Sequence, residues 1–157
     1  MKVGIVDVDL IERNKHRFPN LYINQDYRIL IDQLKEKNIL GFNDIENKDV
    51  FTFVAALGFD NPQITSKRYG FVRTAYLYPM DEAIISTLKL RKASNDDEIN
   101  EYVDFDLAIE EAENAAEAGF SILSDKIIDA EWDKEVFERV LSTELEMLYL
   151  KNVKNDL

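Results

Sequence analysis

A stripe of small and apolar residues between positions 105 and 123 restricts this chain more than any other feature. Phe105, Ala108, Ile109, Ala112, Ala116, Phe120 and Leu123 recur at intervals that suit one face of an α-helix. Asp104 can cap its start, and the spacing predicts a helix from there to about 124. Alanine recurs along the stripe, so a neighbouring helix can approach closely. A chain with such a contact at its centre is mainly helical.

The same periodicity predicts four more helices. Asn24 can cap one over about 25–37, with Tyr27, Leu30, Ile31 and Leu34 on one face. Gly41 ends that region. A second fits about 47–57, where Val50, Phe51, Phe53, Val54, Ala55 and Leu57 are apolar nearly all round. That pattern predicts a central place in the core. Gly58 is placed to terminate it at the C′ position. Pro79 suits the first turn of a helix over about 79–91, with Met80, Ile84, Ile85 and Leu88 in line. Asp129 or Asp133 starts a last helix to about 150, with Val136, Phe137, Val140, Leu141, Leu145 and Leu148 inward.

Extended structure is scarcer. Residues 2–8 read as a strand, 12–20 as loop, and 93–103 as a polar linker. Residues 60–78 open on Asp60-Asn61-Pro62 and continue with aromatic and β-branched residues around Gly70, which reads as an irregular hairpin or extended loop. The expected fold is mainly α (α+β), with about five helices packed with a short N-terminal strand and a small central hairpin. At 157 residues a single domain is expected. Its parts are a strand and loop (1–23), a helical and hairpin part (24–92), and an acidic helical pair (104–150).

Charge narrows the function classes. The net charge is −12, and a surface of that sign argues against direct nucleic-acid binding. The charge is uneven. Residues 1–93 carry 14 basic and 12 acidic residues, whereas residues 94–157 carry 5 and 19. An acidic helical face opposite a small basic segment follows from that split. There is no cysteine, hence no disulfide, thiolate metal site or cysteine nucleophile. No apolar run is long enough to span a membrane. Asp7 interrupts the N-terminal apolar run, so it does not read as a signal peptide. A cytoplasmic protein is expected.

Asp7 and Asp9 end the first strand at the spacing of a phosphohydrolase nucleophile and its acid/base partner, where a Mg²⁺-dependent attack on phosphorus is conceivable. The later strand-and-helix alternation such an enzyme needs is missing. His16 is the only histidine and sits among Arg13, Lys15 and Arg17, which reads as a solvated loop. The five glycines are scattered singly, so there is no phosphate-binding glycine loop. No catalytic residue, metal or cofactor is assigned.

The best site-like cluster is Lys67, Arg68 and Arg73 interleaved with Tyr69, Phe71 and Tyr76. Such residues can meet phosphates and bases. They can equally meet acidic helices of the same chain or a partner. Glu110, Glu111, Glu113 and Glu117, then Glu131, Asp133, Glu135 and Glu138, form the acidic series. It reads as solvated helix faces, or as a mimic of a phosphate backbone. Of these, Glu110, Glu113 and Glu117 are the candidate binding residues.

Two resemblances accompany these readings. Lys48-Asp-Val-Phe-Thr-Phe-Val-Ala-Ala-Leu-Gly-Phe59, Ser66-Lys-Arg-Tyr-Gly-Phe-Val-Arg73, Asp81-Glu-Ala-Ile-Ile85 and Glu113-Asn-Ala-Ala-Glu-Ala-Gly-Phe120 make residues 25–125 resemble small accessory proteins of bacterial DNA-phosphorothioation (Dnd) systems. That resemblance implies an accessory role in phage defence and carries no catalytic residues. Residues 1–21 resemble the opening of radical SAM proteins with a corrinoid-binding-like N-terminal domain, but no three-cysteine motif is present, which excludes that chemistry. The expectation is a non-enzymatic accessory or adaptor protein that docks a larger protein, in a DNA-processing complex, through Lys67–Tyr76 or the acidic helices. The alternatives are an acidic DNA-mimic inhibitor of a nucleic-acid enzyme and a small phosphohydrolase using Asp7 and Asp9.

Overall fold

The computed structural model describes residues 19–65, 67–90 and 105–155. Along them run β1 (Asn20–Asn24), α1 (Asp26–Glu36), a 3-10 turn (Ile39–Asp44), α2 (Asn47–Gly58), β2 (Arg68–Arg73), a second 3-10 turn (Thr74–Tyr76), α3 (Pro79–Leu90), α4 (Phe105–Asp129) and α5 (Lys134–Asn155). The fold is mainly helical with a two-stranded antiparallel sheet. The strand expected over 2–8, Asp7, Asp9, His16, the 93–103 linker and the Asp104 cap lie outside the described residues.

The helix of the alanine stripe is central. α4 packs against α2, with Ala108, Ala112, Ala115, Ala116 and Ala118 all buried. The closest approach is made by two glycines. A methyl group on Gly119 would overlap the Val54 carbonyl, and one on Gly58 would overlap the Ala115 carbonyl and the Gly119 nitrogen. Gly58 is therefore a correction. It does not terminate its helix in a left-handed conformation, but closes α2 while letting two backbones touch.

The other helix ends follow local chemistry. Asn24 is not the N-cap of α1: Gln25 holds that position without a side-chain bond, and Asn24 Oδ1, one residue earlier, accepts the Asp26 N–H at 3.0 Å. The Glu46 N–H is accepted by Asp49 Oδ2 at 3.3 Å, closing a capping box on α2. Asp133 Oδ1 accepts the Val136 N–H at 3.0 Å and starts α5. Between the 3-10 turns and helices the core is filled by Phe42, Phe51, Phe120 and Phe137, all fully buried. Each such ring contributes on the order of 2–3 kcal/mol by leaving water.

The sheet has an unexpected partner. β2 pairs with β1, with Leu21 opposite Val72 and Ile23 opposite Tyr69, rather than with a strand inside 60–78. Leu21 and Ile23 are fully buried while Asn20, Tyr22 and Asn24 are half-buried, the alternation of a strand with one face on a core. Two inward assignments also change. Met80 and Leu145 are exposed, whereas Ile85, Phe137 and Leu141 are buried as expected. α5 meets the body through Phe137, Leu141 and Leu148, with Lys151 3.6 Å from Asp60, and leaves Met147, Tyr149 and Leu150 exposed.

Candidate functional site

The basic-aromatic segment folds as β2 and the 3-10 turn after it, and it separates into two parts. The first half is spent within the chain. The Arg68 guanidinium lies 2.9 Å from Glu113 Oε1 on α4 and 4.5 Å over the Tyr22 ring. Glu113 Oε2 accepts the backbone N–H of Tyr22. Glu113 is only 4% exposed, and this burial raises its pKa above the ordinary carboxylate range despite the Tyr22 N–H and the Arg68 charge. One turn on, Glu117 is 8% exposed and accepts the Asn24 Nδ2–H at 3.1 Å. Burial raises its pKa too. Lys67 lies 3.4 Å from Asp26 at the surface, and Arg28 covers the Tyr69 ring at 5.1 Å.

Glu113 and Glu117 are thus not part of a solvated acidic face. They hold β1 and β2 against α4, because a buried carboxylate needs the donors that Arg68, Tyr22 and Asn24 supply. Glu110 remains exposed beside them. It lines a cleft of about 550 Å³ together with Asn20, Tyr22, Thr65, Arg68 and Glu113.

The second half of the segment is outward. Tyr76, Tyr78 and Met80 are 65%, 62% and 71% exposed. Tyr76 and Tyr78 stand on the turn between β2 and α3, and Met80 in the first turn of α3. A groove of about 590 Å³ lies beside them, lined among others by Lys48, Phe71, Arg73, Tyr76 and Tyr78. Arg73 is exposed, and among the described residues no carboxylate pairs with it.

A buried lysine braces this turn. Lys48 Nζ, from the first turn of α2, lies 3.1 Å from Asp49, 3.4 Å from Asp81 and 3.7 Å from Glu46. It also sits 4.3 Å over the Tyr78 ring. The Asp49 hydrogen bond, with the Asp81 charge behind it, raises its pKa above the ordinary lysine value. Asp81 in turn accepts the Tyr78 N–H at 2.8 Å. The turn is therefore tied to α2 through Lys48, which meets the Asp81 carboxylate and the Tyr78 ring.

Sequence reasoning reached Phe71, Arg73 and Tyr76 and missed Lys48, Tyr78, Met80 and Asp81. A signal was present. Lys48 stands at the head of an otherwise apolar helix, and Asp81 sits three residues after Tyr78 where it can receive that N–H. Among the described residues, no helix is long and apolar enough to cross a membrane. In comparisons with known proteins, no family model, no curated protein and no solved structure matches this chain.

Proposed function

We propose that this protein works by binding a larger protein, as a non-enzymatic accessory or adaptor, through the turn that presents Tyr76, Tyr78 and Met80. The observation that carries the reading is Tyr76 and Tyr78, mostly exposed on one braced turn that lines a groove, with the exposed Met80 following in the first turn of α3. Tyr, Met and Arg are the residue types that interfaces concentrate, and a pre-positioned aromatic loses little freedom on binding. Arg73 adds an unspent cation at the rim.

The setting we propose is a bacterial DNA-modification or anti-phage system in the cytoplasm. Support for the system comes from the resemblance within residues 25–125, and for the compartment from the lack of cysteine. The acidic surface carries a second role less well, since Glu113 and Glu117 are buried and taken.

The test is capture from the native host with the full chain and with the Tyr76→Ala/Met80→Ala double variant. Recovery of a DNA-processing protein by the first and its loss with the second is expected. Recovery by both, or of no such protein by either, overturns the proposal.

A further inference from the structure

The second half of α5 is apolar on more sides than its own chain covers. Leu145, Met147, Leu148, Tyr149, Leu150 and Val153 stand within nine positions. One side is used. Leu148 packs on the core, and Glu144 and Lys151 flank it with Lys126 and Asp60. The rest is in water. Leu145 is 40% exposed, Met147 61%, Tyr149 67%, Leu150 49% and Val153 38%. A helix that is apolar all round belongs inside a larger core.

These five side chains form one patch. Residues three or four apart are neighbours on a helix surface. Leu145, Tyr149 and Val153 make a row spaced by four, and Leu150 joins Val153 to Met147 in steps of three. At these exposures the patch offers on the order of 500 Å² per copy, the upper end of what a monomer leaves in water. Two facing patches with their polar rims remove about 1,200 Å², the lower bound of a specific interface.

Charge decides what covers it. A contact between two identical copies must be complementary to itself. Residues 94–157, with 5 bases and 19 acids, mostly repel their own kind. α5 differs because its sign reverses along its length. Residues 134–146 carry Lys134 and Arg139 against four glutamates, whereas residues 147–155 carry Lys151 and Lys154 and no acid. Turned end for end, the helix matches itself: each basic end lies along the acidic half of the other copy. Opposed macrodipoles favour the same orientation. Lys151 and Glu144 already have partners within the chain, so charge sets direction here and the apolar row supplies affinity. Glu146, exposed within the patch, is the acid turned toward the basic end.

We propose that two copies of this chain form a symmetric dimer through the second halves of their α5 helices, antiparallel about a twofold axis at Tyr149 and Leu150. Leu145 then meets the partner's Val153. Rows spaced by four interdigitate at a crossing angle of about −50°. Tyr149, next to the axis, is the anchor, an aromatic of the kind that dominates interfaces. The turn at Tyr76 belongs to other elements, so this surface is additional to the one that docks a larger protein and does not depend on it.

Sedimentation velocity of the full chain from about 1 to about 200 μM tests it, and a monomer–dimer equilibrium with a Kd on the order of 10 μM is expected for an interface of this size. Tyr149→Asp should weaken association at least about tenfold. Its melting curve at the lowest concentration should match the wild type, because in one copy Tyr149 is mostly in water. Glu146→Lys reads the orientation. Opposite a basic end it should weaken the dimer by about threefold or more at low salt, whereas in a parallel pair it would relieve repulsion between the two Glu146 side chains and strengthen it. Tyr76→Ala/Met80→Ala should leave the equilibrium unchanged.

A monomer at every concentration overturns the proposal, and so does a dimer indifferent to Tyr149→Asp. A dimer that Glu146→Lys does not weaken overturns the antiparallel arrangement. A dimer lost with Tyr76→Ala/Met80→Ala assigns self-association to that turn instead. If the chain is monomeric and still captures a host protein through Tyr76 and Met80, the dimer fails while the protein-binding reading stands.

Discussion

Glu113 and Lys48 show how single residues hold this structure. Glu113 is a carboxylate whose folded pKa is raised by burial. The stability linked to its protonation is therefore fully present below the ordinary value of 4.5 and is lost as pH rises through the raised value. Between neutral pH and that window, acidification should raise the melting temperature of the wild type relative to Glu113→Gln, which lacks the titration. Thermal melts of both proteins across that range check it, and a constant difference would refute the linkage. Glu117 acts in the same direction. At Lys48 the expected effect is structural. Lys48→Ala leaves the Asp81 carboxylate buried without its cation, so the melting temperature should fall by several degrees. Adding Asp81→Asn keeps an acceptor for the Tyr78 N–H and should recover most of the loss. The role of Glu113 was not written in the local sequence. Glu113 lies in an acidic run and reads as solvated, because nothing in residues 110–117 says that Arg68 and Tyr22 will arrive from 45 and 91 residues away.

Among the elements, the crossing of α2 and α4 is the tightest constraint. Gly119→Ala pushes a methyl group into the Val54 carbonyl. That contact is with backbone, which cannot rotate aside, so a cost of about 3 kcal/mol is expected. Gly41 makes the comparison. Its φ of +70° carries a conformational penalty for alanine, but no atom lies near the added methyl, so Gly41→Ala should cost only about 1 kcal/mol. Urea denaturation of the two variants measures the difference. The helices were legible because apolar residues recur in them at the helical period, which is a local property. β1 was not. Its five residues, Asn20-Leu-Tyr-Ile-Asn24, alternate correctly, but the two asparagines read as loop and helix cap. Its partner was also hidden, since β2 starts at Arg68, far along the chain from Asn24, and no local rule connects them.

At the scale of the whole molecule, charge and exposed aromatics govern behaviour. The excess of 19 acidic over 5 basic residues in 94–157 repels itself. Raising the salt concentration from low ionic strength should raise the melting temperature by screening that repulsion, and a flat or falling profile would contradict this. Tyr76→Ala with Met80→Ala should leave that melting temperature within about 2 °C, because both side chains are already in water. The sequence by itself determined the helices, the central place of α2 and the close packing that the alanine stripe calls for. Those follow from period and side-chain size, which are local properties. Only the tertiary structure decided which half of the basic-aromatic segment is spent inside the chain and which half faces outward. The division depends on β2 finding β1 and lying beside α4, which brings Arg68 onto Glu113 and leaves Arg73 without a carboxylate among the described residues. Charge pairing of that kind is set by distance in space, and a sequence records only distance along the chain.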